Sequence, residues 1–104
     1  MAAVNDSLND FQKIIEILII ILNKVNAETD IEWTQFNTAQ ELMAELSNSI
    51  EKLRLGDYDT LENVYLMFLP TGSLQELSAS NNWEDEYLKL ADQFDDHYEK
   101  LKTR

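Results

Sequence analysis

The chain of 104 residues contains no cysteine, one proline and two glycines. The missing cysteines exclude disulfides, thiolate metal sites and cysteine nucleophiles. They also suit a reducing compartment, so a cytoplasmic location is expected. With so little glycine and proline there are few chain breaks, and no stretch alternates polar and apolar residues over strand length. An all-α fold is expected. Nothing in the sequence repeats or reads as a linker, and the length supports one core but not two. Residues 1–104 should therefore form a single helical domain.

Cationic side chains are also few: eight Lys and Arg stand against 20 Asp and Glu, for a net charge of −12. The charge is spread along the chain, −5 over residues 1–55 (nine acids, four bases) and −7 over residues 56–104 (eleven acids, four bases). Such a field repels nucleic acid and anionic membrane and attracts basic partners. The apolar fraction of 44% is that of a folded domain, so the charge does not signal disorder. An acidic surface also keeps a small protein soluble, and that plainer role competes with a functional one at every exposed carboxylate.

What the sequence has is one hydrophobic run, "KIIEILIIIL", residues 13–22, in which Glu16 alone is polar between Ile14 and Leu22. Gln12-Lys13 and Asn23-Lys24 bound it too closely for a membrane span, which needs about 20 apolar residues. A signal peptide would place a cleavage site near Val25-Asn26-Ala27. The preceding residues carry Asp6 and Asp10, where a positive segment belongs, so a helix covered by protein is expected instead. Leu8, Phe11, Ile15, Leu18, Leu22 and Val25 recur at spacings of three and four, with Ser7 as the expected cap and Asp10 in the first turn. Ile14, Ile17 and Ile21 widen this stripe, while Ile19 and Ile20 nearly close the circle. A helix apolar on all sides either sits at the centre of its domain or offers a spare face to a second copy. The central position is favoured because the other helices can surround it.

Residues 26–37 read as a loop whose anchors, Ile31, Trp33 and Phe36, lid one end of the core. Thr38-Ala39-Gln40-Glu41 has the spacing of a capping box, Leu42, Met43, Leu46, Ile50 and Leu53 form the face behind it, and Gly56 suits the residue beyond its end. Asp59-Thr60-Leu61-Glu62 opens a third helix, bearing Leu61, Val64, Tyr65 and Phe68, that Pro70 terminates. Ser73-Leu74-Gln75-Glu76 opens a short one reaching about Ser80. Asn82 is the expected cap of the last helix, which carries Trp83, Tyr87, Leu90, Ala91, Phe94, Tyr98 and Leu101 along one side. Lys100, Lys102 and Arg104 suit its C-terminal dipole. The predicted architecture is a compact bundle of four main helices plus one short helix, with the first helix central.

Catalytic apparatus is missing from the pattern. There is no Gly-rich phosphate loop, His-paired serine or HExxH, and no catalytic residue or cofactor is expected. The single histidine, His97, lacks the Glu three residues earlier that a di-iron bundle needs, and is expected to be solvated. Asp92, Asp95, Asp96 and Glu99 stand at i, i+3, i+4 and i+7 and gather on one face. Crowded carboxylates can hold a hard cation, but a straight helix cannot fold oxygens around an ion, so no metal site is expected. With Asp85 they form the candidate contact face for a basic protein. Leu69-Pro70-Thr71-Gly72 is one residue short of a sortase signal, and Asn5-Asp6-Ser7 is a formal glycosylation sequon.

The stretch "LPTGSLQELSASNNW", Leu69 to Trp83, resembles one found in a family of short, uncharacterised acidic bacterial helical proteins. There a Pro-Thr-Gly turn leads through Leu-Gln-Glu to a Trp-led final helix. The likeness covers about 15 of 104 residues and implies structure, with no catalytic meaning. In size, charge and helicity the chain is also similar in type to immunity proteins that neutralise bacterial toxins, without sharing a motif from which functional residues carry over. Three classes follow: a non-enzymatic protein masking a basic partner such as a toxin; a structural homodimer or adaptor joined through the first helix; and a ligand carrier or small enzyme with a pocket lined by Trp33, Phe36, Tyr65 and Trp83.

Overall fold

The computed structural model describes residues 2–26, 28–32, 34, 36–69 and 72–102, with the side chains of residues 2–8 excepted. Five helices account for most of them: α1 (Ala2–Lys24), α2 (Ala39–Arg54), α3 (Tyr58–Met67), α4 (Ser73–Ser80) and α5 (Glu84–Lys102). No strand occurs among the described residues. The expected positions of Trp33, Pro70, Thr71, Arg104 and the side chains of Ser7 and Leu8 lie outside the described set.

α1 is buried along the stripe that its spacing predicts. Phe11, Ile14, Ile15, Ile17, Leu18, Ile21 and Val25 are buried, while Leu22 and Ile19 are half-buried. It begins five residues before Ser7, so Ser7 lies inside the helix and Asp10 lies beyond the first turn. The apolar circle is not closed: Ile20 is 41% exposed and shares its outer side with Glu16. α1 packs against both α2 and α5. Contacts between Asp10 and His97 and between Lys24 and Glu86 make α1 and α5 antiparallel.

α2 follows its sequence signals closely. The Glu41 N–H donates to the Thr38 hydroxyl at 3.1 Å, and the Glu41 carboxylate accepts from the Asn37 N–H at 2.8 Å. The helix end is closed by paired reverse bonds, Gly56 N–H to Leu53 C=O (2.9 Å) and Asp57 N–H to Lys52 C=O (3.3 Å), around Gly56 at φ +75. α3 starts earlier than expected. Its cap is Asp57, whose carboxylate accepts from the N–H groups of Asp59 and Thr60 and from the Thr60 hydroxyl. Asp59 stands in the first turn.

Two further caps differ from the sequence reading. α4 begins at Ser73 behind a Gly72 cap with no side-chain bond, so Ser73 is not the cap. Only glycine fits there, because a Cβ would stand 2.6 Å from the Met67 carbonyl oxygen. Asn82 does not cap α5; it ends α4. At φ 67 it is the left-handed residue of a reverse-bonded terminus, with Asn82 N–H to Ala79 C=O (3.5 Å) and Trp83 N–H to Ser78 C=O (3.0 Å).

An aromatic ladder runs along α5 and reaches across to α3 and its C-terminal cap. Tyr65 stacks on Tyr98 (4.5 Å between centroids), Tyr98 on Phe94 (5.6 Å), Phe94 on Phe68 (4.2 Å) and Phe68 on Tyr87 (5.8 Å). Trp83 meets Tyr87 edge-on at 6.4 Å. The α1–α2 connection rests Ile31 and Phe36 against the core and is strapped at Asp30 by the side chain of Asn81. That side chain accepts the Asp30 N–H and donates to the Asp30 carbonyl, each at 2.9 Å, while also donating to Leu77 C=O.

Candidate functional site

The five candidate contact residues, Asp85, Asp92, Asp95, Asp96 and Glu99, are all exposed on α5. α5 turns Tyr87, Leu90, Phe94, Tyr98 and Leu101 into the core, and helical period places the intervening carboxylates outside. The structure brings Asp92, Asp95 and Glu99 into mutual range. Desolvation by the surface beneath Asp95, aided by the charges of Asp92 and Glu99, pushes its carboxyl above the usual range. Asp96 is turned toward Lys100, at 3.2 Å. Asp85 stands about two turns away, in the first turn, beside Glu84 and Glu86. Leu88, 46% exposed, breaks the acidic stripe between Asp85 and Asp92. Among the described residues, no three Asp, Glu or His side chains converge closely enough to hold a metal ion.

His97 is not solvated as expected. Its Nδ1 lies 2.8 Å from Asp10 Oδ1, with the two side chains only 19% and 3% exposed. Both residues carry signals that point the other way, a lone His on a charged helix and an Asp near a helix start. The pairing joins positions 87 apart, and nothing local announces it. At the same end, the Tyr98 hydroxyl reaches both Glu62 oxygens at 3.0 Å, and Lys102 Nζ stands 3.3 Å from Glu62. Burial and the Glu62 charge raise the Tyr98 phenol, and the Glu62 hydrogen bond raises the Lys102 ammonium. These groups tie α5 to α1 and α3.

The aromatic pocket of the third functional class does not assemble among the described residues. Phe36, Tyr65 and Trp83 are each partly buried against the core, and Tyr65 is covered by Tyr98. Trp83 instead forms a wall shared by two clefts. One, of about 270 Å³, is lined by Lys24, Asn26, Glu28, Thr29, Asn81 and Trp83. The other, of about 440 Å³, is lined by Ala79, Asn82, Trp83, Glu84, Asp85 and Glu86. Lys24 Nζ sits 5.5 Å from the indole centroid and 2.7 Å from Glu86. No helix is long and apolar enough to cross a membrane among the described residues.

No known family matches this chain, and neither a curated protein nor a solved structure is significantly similar to it.

Proposed function

We propose that this is a non-enzymatic, cytoplasmic binding protein that masks a basic protein partner, in the manner of a bacterial immunity protein masking a toxin. The observation that carries the reading is the crowding on α5. Asp92, Asp95 and Glu99 share this face: desolvation by the surface beneath, and after it the charges of Asp92 and Glu99, hold the Asp95 carboxyl above its ordinary range, and a cationic surface would relieve the like-charge part. Carboxylates spaced along one helix can stand in for a nucleic-acid backbone or steer association with a cationic cleft. The fold behind this face is read as four main helices and one short one, with α1 at the centre; its packing against both α2 and α5 supports that arrangement. A homodimer through α1 is the second reading, and the exposed Ile20 is the apolar surface it would use.

The test is capture from the source organism's lysate by the immobilised protein and by a variant carrying Asp92→Asn, Asp95→Asn and Asp96→Asn. A basic protein retained at low salt, released at high salt and lost by the folded variant supports the reading. Equal retention by both proteins removes this face from it.

A further inference from the structure

We draw no further inference here: the strongest candidate, the cleft between α1 and the last turn of α2 over Phe11, Ile15 and Leu53, carries nothing because its one charged wall, Arg54, already pairs with Glu51 and nothing in the structure shows what covers it.

Discussion

Asp10 is 2% exposed, so its carboxylate has given up nearly all its hydration to face His97 across the α1–α5 contact. Removing one member of such a pair leaves the other desolvated without that contact, at a cost of about 3 kcal/mol. Asp10→Asn and His97→Asn should each lower stability toward that figure in urea unfolding. The double variant should lose less than the sum, with a coupling above about 1 kcal/mol. Additive losses would show that the contact is incidental. Two other carboxylates predict opposite pH behaviour. The Thr60 hydroxyl, followed by the Thr60 and Asp59 amides, holds Asp57 below its ordinary range. Its contribution is present above the unfolded value and is lost as pH falls through the folded one. Asp95 is raised, so its ionisation opposes folding and the penalty is in force above its folded value. Asp95→Asn should therefore stabilise the protein at neutral pH by less than about 0.5 kcal/mol, an advantage that disappears in acid. Thermal unfolding across the carboxylate range checks both signs.

At the scale of elements, apolar spacing was the dependable guide. Phe11, Ile15 and Leu18 in α1, Leu42, Leu46, Ile50 and Leu53 in α2, and Tyr87, Leu90, Phe94 and Tyr98 in α5 are buried where period alone puts them. Polar residues were less legible, because one side chain can serve several local roles. Asn82 has the chemistry of an N-cap and also tolerates the left-handed backbone, and the packing of Trp83 and Ser78 selects the second role. Asp57 and Asp59 both precede a helical pattern, and only the chain's exit from Gly56 decides between them. The acidic face of α5 could be read from spacing, whereas the Asp10–His97 pair, the Asn81 strap and the cleft between Lys24 and Trp83 arise from residues far apart in sequence. Asn82→Gly should stabilise the protein by up to about 1 kcal/mol, since glycine adopts positive φ without strain, while Asn82→Ala should destabilise it by a similar amount. Chemical denaturation of the two variants tests that assignment, and equal effects would contradict it.

For the molecule as a whole, the competing functional readings differ in what sets its association. Much of the described apolar surface of α1 is turned inward, with Ile20 the exposed exception, and a charge of −12 opposes contact between copies. Light scattering should give a monomer mass that does not change with concentration, and Ile20→Ser should leave it unaltered. A dimer abolished by Ile20→Ser would instead establish the homodimer. The ladder from Tyr65 to Trp83 also gives the protein an internal optical reporter. Its three tyrosines, Tyr65, Tyr98 and Tyr87, stand in one file of rings that terminates at an indole. Light absorbed by these phenols should reach Trp83 by resonance transfer and leave as tryptophan emission. Emission from Tyr65, which α3 alone contributes, should rise when α3 and α5 separate, so the colour of the fluorescence would reveal whether a partner, on binding, leaves this part of the core closed.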